Sequence, residues 1–140
     1  MFNFFTPIKA NAILPEVRLR FAKILNQRQR ILELQSELSL TVEEDNNHEK
    51  FFNVKNQVNK SISELYKQIE ELEEMGILIK SFEEGLIDFP AKRFDDEVWL
   101  CWKIGEDKVK FWHSKDEGFL GRKPLSIKGT FDEDKLEDLR

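Results

Sequence analysis

Residues 97–113 read EVWLCWKIGEDKVKFWH, and this stretch decides the fold. It is rich in the aromatic and β-branched residues that suit a pleated surface, and Gly105-Glu106 interrupts it as a tight hairpin turn does. A two-residue turn there pairs Trp102 with Val109, Leu100 with Phe111, and Val98 with His113, which puts those six residues on one face. Trp99, Cys101 and Trp112 then share the opposite face. That face is too apolar for open solvent, so both faces are expected to be partly covered.

Upstream, a two-residue period begins after Gly76 with Ile77-Leu78-Ile79 and continues in Leu86-Ile87-Asp88-Phe89. Asp95-Asp96 separates FPAKRF from EVWLCWKI as a second tight turn. Downstream comes SKDEGFLGRKPL, a loop with two glycines, and then the acidic segment TFDEDKLEDLR, either a short last helix or a frayed end. The expectation is a small antiparallel meander of three to four strands with a glycine-containing loop over residues 76–125, followed by an acidic tail over 126–140.

The N-terminal half has a different period. Thr6-Pro7 is a helix start, with a capping hydroxyl and a proline where no N–H is needed. Pro15 is expected to restart or kink the helix after one or two turns. From Val17 onward Phe21, Ile24, Leu25, Ile31, Leu32, Leu34 and Leu38 recur at three- and four-residue spacing. Residues 40–47 lose that pattern and read as a connection. A second helix runs from His48 to Met75, where Phe51, Val58, Ile62, Leu65, Ile69 and Leu72 form a heptad-like, coiled-coil seam, and Gly76 is its C-cap. The fold class is therefore α+β, with a long antiparallel helical hairpin over 6–75 packed with the β-meander in a single domain, 1–140. At ~1.5 Å per residue the hairpin is about 35–40 Å long and outreaches a small sheet. Its surplus apolar stripe calls for a homodimer through the helices or for a protein partner.

Composition narrows the function. The 140 residues are 40% hydrophobic and 35% charged, with a net charge of −5. That is globular, and the acidic balance disfavours nucleic acid, whose phosphates need clustered Lys and Arg. No long apolar run marks a membrane span, and the first residues lack the pattern of a signal peptide. The single cysteine, Cys101, makes no internal disulfide, and the expected location is the cytoplasm. No phosphate-binding loop, nucleophile elbow or zinc-protease motif is present, so a familiar enzyme class is not expected.

His113 is the first candidate for chemistry. Beside Asp88, Glu106 and the acidic loop it reads as a metal ligand or general base, or equally as a histidine capping the sheet end. A divalent metal is the candidate cofactor, with Glu16 as a candidate second ligand, although no spacing motif joins His113 to a partner. Arg122, between Gly121 and Lys123, reads as a clamp for a carboxylate or phosphate, or as one half of a salt bridge. Trp102 and Phe119 are candidate pocket walls, or core. Cys101 reads as an inert buried thiol.

The segments FTPIKANAILPEV, GLIDFPA and EVWLCWKIGEDKVKFWHSKDEGFLGR resemble a set of bacterial proteins grouped as the domain-of-unknown-function family number two-two-zero-three. The resemblance covers nearly the whole chain, and WLCWKIGE, FWH and GFLGR carry most of it. It singles out Asn11, Pro15, Glu16, Gly85, Asp88, Phe89, Pro90, Cys101, Trp102, Gly105, Glu106, Trp112, His113, Gly118, Phe119, Gly121 and Arg122. RFDDE stands in place of a glycine-containing turn in the pattern. Some members carry a label tying them to cell division or to DivIVA-like proteins, which implies a helical adaptor. The reading of the residues is a non-catalytic regulatory domain that binds a ligand or partner through Glu106, His113, Arg122, Asp88, Trp102 and Phe119. The alternatives are that adaptor and a metal-assisted enzyme centred on His113.

Overall fold

The structure, a computed structural model, describes residues 4–43 and 48–125. The acidic tail expected over 126–140 lies outside the described residues. The chain is α+β, and its residues form two compact units. One is Leu19–Glu71, and the other joins the residues up to Arg18 with those from Leu72 onward.

Helix α1 spans Pro7–Glu43 and helix α2 spans His48–Glu74. Thr6 caps α1 as its position predicts, its Oγ1 accepting the Lys9 N–H at 3.1 Å. The break expected at Pro15 does not occur, and α1 passes through it. Pro15 is on the exposed side of the helix, where solvent can satisfy the carbonyl that its missing N–H leaves. α1 also runs further into the expected 40–47 connection than the loss of periodicity suggested, and residues 44–47 lie outside the described ones.

In the Leu19–Glu71 unit the two helices pack along Leu34, Val54 and Val58, with Leu38 and Ile62 against them. Val58 and Ile62 belong to the expected seam, whereas Phe51 is only half-buried and sets its ring edge-on to Phe52 at 5.6 Å. Polar ties between the helices are the Arg20–Glu71 ion pair at 2.9 Å and the bond from Gln27 Nε2 to the Ser61 carbonyl at 2.9 Å.

In the other unit α2 ends as the sequence predicts. Gly76 takes φ 85°, its N–H donates to the Glu73 carbonyl, and the Ile77 N–H donates to the Leu72 carbonyl. These are the two bonds of a Schellman cap, and the hydrophobic pair that accompanies it, Leu72 and Ile77, is fully buried.

Five strands follow: β1 (Leu78–Ser81), β2 (Leu86–Arg93), β3 (Asp96–Lys103), β4 (Phe111–Ser114) and β5 (Lys123–Pro124). They form one antiparallel meander in chain order. The fifth strand, beyond the three to four expected, is a two-residue edge formed as the chain returns from the glycine-containing loop. The β2–β3 turn lies at Phe94-Asp95 rather than Asp95-Asp96, because Arg93 pairs with Asp96 and Phe94 takes the positive φ of 56°.

The β3–β4 register differs from the two-residue turn at Gly105-Glu106. Val98 pairs with Ser114, Trp99 with His113, Leu100 with Trp112 and Cys101 with Phe111. The connection is longer by the amount that shifts every β4 side chain to the other face. Residues on α1 hold the longer connection. Asn11 Oδ1 accepts the Val109 N–H at 2.7 Å while its Nδ2 donates to the Val109 carbonyl at 3.2 Å, so the side chain pairs with Val109 as a strand would. Arg18 Nη2 donates to the carbonyls of Glu106, at 2.9 Å, and Asp107.

One face of the sheet carries Ile87, Phe89, Ala91, Val98, Leu100, Trp102 and Trp112, all buried. Phe5 meets Phe89 edge-on at 5.3 Å and Arg18 lies 5.7 Å from the Trp102 ring centre, so the N-terminal segment and the start of α1 cover this face. The other face carries Leu86, Asp88, Trp99, Cys101, Phe111 and His113. His113 and Trp112 have thus exchanged the faces expected of them.

Candidate functional site

The second face gathers the chemistry. Asp88 stands directly opposite Cys101 across the β2–β3 pair, and Cys101 has Phe111 on its other side. His113, two residues along β4, faces the same way and reaches back over β3. Its Nε2 lies 3.1 Å from Asp88 Oδ1. Asp88, Cys101 and His113 are only 3%, 1% and 1% exposed, and one ligand atom of each lies within 4.8 Å of the others. Three neighbouring strands therefore bring a carboxylate, a thiol and an imidazole together in the core.

Donor rules fix part of the proton inventory. His113 Nδ1 is 2.9 Å from the Ser114 carbonyl oxygen, which only accepts, so Nδ1 carries a hydrogen and donates it. Nε2 and Asp88 Oδ1 then share one proton. Burial holds the Asp88 carboxyl above its usual range, opposed by the attraction and hydrogen bond of His113 and by the Cys101 thiol, which donates to the carboxylate. Burial first, and the Asp88 charge second, push the Cys101 thiol up to about 12. At neutral pH it is a thiol and not a nucleophile.

A second layer lies against the first. Arg122 Nη2 donates to Glu106 Oε1 at 2.6 Å and to the Cys101 carbonyl at 3.3 Å, while its guanidinium stacks 4.0 Å from the Phe111 ring centre and 4.7 Å from that of Phe119. Glu106 Oε1 also accepts the Lys103 N–H at 2.6 Å, and the Glu106 carbonyl accepts Trp102 Nε1–H at 2.9 Å. The Arg122 side chain is 10% exposed. Its charge is compensated by the Glu106 carboxylate. Gly121 packs against Glu117, whose Oε2 lies 2.5 Å from where a Cβ would sit. An acidic side chain thus fills the space beside Gly121, whereas a Cβ on Gly118 would meet nothing within 4 Å.

The family model described as "Uncharacterized conserved protein (DUF2203)" matches residues 3–125. The chain belongs to this family. No curated protein and no solved structure matches it.

In this DUF2203 chain the six residues expected to bind meet as two joined groups. Asp88 and His113 form one, and Glu106, Arg122, Trp102 and Phe119 form the other. Cys101 links them, its thiol on Asp88 and its carbonyl on Arg122. Glu16 is on the exposed side of α1 and outside the buried cluster. Sequence reasoning set Cys101 aside as an inert thiol. The missed signal was register: with one residue more in the β3–β4 connection, Asp88, Cys101 and His113 fall on the same face.

Proposed function

We propose that the protein is a non-catalytic binding domain whose ligand is a divalent ion of the zinc class, held by Asp88, Cys101 and His113. The observation that carries this reading is the convergence of three buried ligand atoms of three chemical types within 4.8 Å. A thiolate, an imidazole and a carboxylate are the donor set that suits zinc among the common divalent ions. Two further features support it. The His113 Nδ1–H bond to the Ser114 carbonyl is the outer-shell bond that orients metal-binding imidazoles and turns the other nitrogen to the ion. Asp88 and Cys101 supply two negative charges when deprotonated, so the ion replaces two protons and the buried centre gains no net charge.

Three protein ligands leave a fourth tetrahedral position for a water. The burial of all three keeps a substrate away from that position, which favours binding over metal-assisted catalysis. A reducing, cytoplasmic setting keeps Cys101 in the thiol form that ligation requires.

The test is native mass spectrometry of the full chain after exposure to zinc and removal of excess metal. The expected result is one zinc per chain, absent from Cys101→Ser and Asp88→Asn, both of which preserve side-chain size. Zinc that stays bound in both variants, or no zinc in the wild type, overturns the reading.

A second reading concerns Leu19–Glu71, where Leu40 is 60% exposed, Phe52 57% and Tyr66 62%. Exposed aromatic and leucine side chains on paired helices suit a homodimer or a helical protein partner, including the cell-division adaptor that the resemblance implies. Light scattering of the wild type and of Phe52→Glu with Tyr66→Glu tests it. A wild-type dimer that becomes a monomer in the variant is expected, and a wild-type monomer contradicts the dimer.

A further inference from the structure

An open cleft of about 530 Å³ lies between the β2–β3 turn and the residues that follow β4. Its basic residue of interest is Arg93. The guanidinium lies 4.8 Å from the Trp112 ring centre and 5.3 Å from that of Phe94. Its Nε is buried without a hydrogen-bond partner. Among the described residues the Arg93 side chain makes no hydrogen bond and no ion pair, although the carboxylates Asp95, Asp96 and Asp116 line the same cleft. A guanidinium set beside two aromatic rings, with no carboxylate on its terminal nitrogens, suits a planar oxyanion.

The turn beside it shows a local cost. Phe94 takes φ 56°, a left-handed conformation that costs a non-glycine residue roughly 1–2 kcal/mol. A glycine would take this conformation freely. What phenylalanine adds is the ring beside the Arg93 guanidinium. Strain that positions a side chain at a cleft points to a site.

The remaining charges choose the ligand. Lys115 is paired with Glu97, which leaves Lys92 and Arg93 against Asp95, Asp96 and Asp116. Three free acids oppose a polyanion such as a phosphate ester, yet they suit an ammonium group. The volume is that of a small-molecule pocket. We infer that this cleft binds a free α-amino acid, its carboxylate on the Arg93 fork and its ammonium group on the Asp95, Asp96 and Asp116 side.

The test is a nitrogen–proton NMR titration of the full chain, following the Arg93 Nε–H and backbone amides. The probes are the proteinogenic amino acids, one at a time, and inorganic phosphate. At least one amino acid is expected to shift Arg93 Nε–H and the amides of residues 93–97 with saturation. Its affinity should fall about tenfold or more in Arg93→Lys, which keeps the charge and loses the fork. Phe94→Gly relaxes the turn and should weaken binding without lowering stability, which separates a lost site from a lost fold. No saturable shift from any amino acid, an affinity unchanged in Arg93→Lys, or saturation by phosphate alone each overturns the assignment.

Discussion

His113 Nε2 approaches Asp88 Oδ1 to 3.1 Å although β3 lies between their strands. The ring crosses that strand diagonally, because Asp88 is opposite Cys101 while His113 is opposite Trp99. The crossing buries the imidazole against both the thiol and the carboxyl, and it ties three strands together by side chains as well as by backbone bonds. Polar groups at this depth stabilise only when each is satisfied, and here each of the three has a partner.

Burial makes Cys101 slow to react. Its thiol is pushed up to about 12 by desolvation and then by the Asp88 charge, and the thiolate is the attacking species. Iodoacetamide is expected to label the native metal-free protein far more slowly than the urea-unfolded chain. Equal rates, followed by mass spectrometry, would show that the thiol is open to solvent.

Asn11 is the clamp on the β3–β4 connection. Asn11→Ala removes both bonds to Val109 and leaves a buried backbone N–H without its acceptor. A loss of about 2–3 kcal/mol is expected in urea unfolding, at about 1 kcal/mol for each lost bond plus desolvation. Amide exchange at Val109 should rise first. A loss within experimental error would mean that the loop keeps its path unaided.

Gly85 and Gly105 both have positive φ, 69° and 97°, yet they differ in surroundings. A Cβ on Gly85 would stand 2.3 Å from Ile104 Cγ2, whereas a Cβ on Gly105 meets nothing within 4 Å. Gly105→Ala is expected to cost about 1 kcal/mol from backbone strain. Gly85→Ala adds the displacement of Ile104 and should cost about 2 kcal/mol or more. The reverse order in thermal unfolding would contradict the packing described.

The parts of this fold that were legible are those with local causes. Thr6-Pro7 and Gly76 set helix ends through bonds to near neighbours in the chain, and the switch of period after Gly76 marks the sheet. The β3–β4 register was not legible, because Asn11 and Arg18 fix it from the far end of the chain. One residue of slip put His113 among Val98 and Leu100 and hid its proximity to Asp88 and Cys101. That slip also left the exposed Glu16 as the candidate second ligand. Pro15 misled for a related reason: a proline breaks a helix only where the lost bond is not otherwise satisfied.

Glu117 provides a pH test away from the buried cluster. The bonds from Lys123 and Ser114 hold its carboxyl below the usual range. A lowered folded-state value means that its contribution is complete above the ordinary glutamate range and is lost as pH falls through the folded value. Amide exchange over residues 114–123 is expected to rise on acidification in the wild type. Glu117→Gln should lack that step, and the same step in both proteins would assign it to another group.

The most direct test of the metal centre is the absorption spectrum of the full chain titrated with cobalt(II), a spectroscopic substitute for zinc. Ligation by Cys101 predicts an intense near-ultraviolet sulfur-to-cobalt charge-transfer band and the visible bands of tetrahedral cobalt. Both should saturate at one ion per chain, and the charge-transfer band should vanish in Cys101→Ser. A weak octahedral spectrum, the same in both proteins, would contradict a metal centre at Asp88, Cys101 and His113.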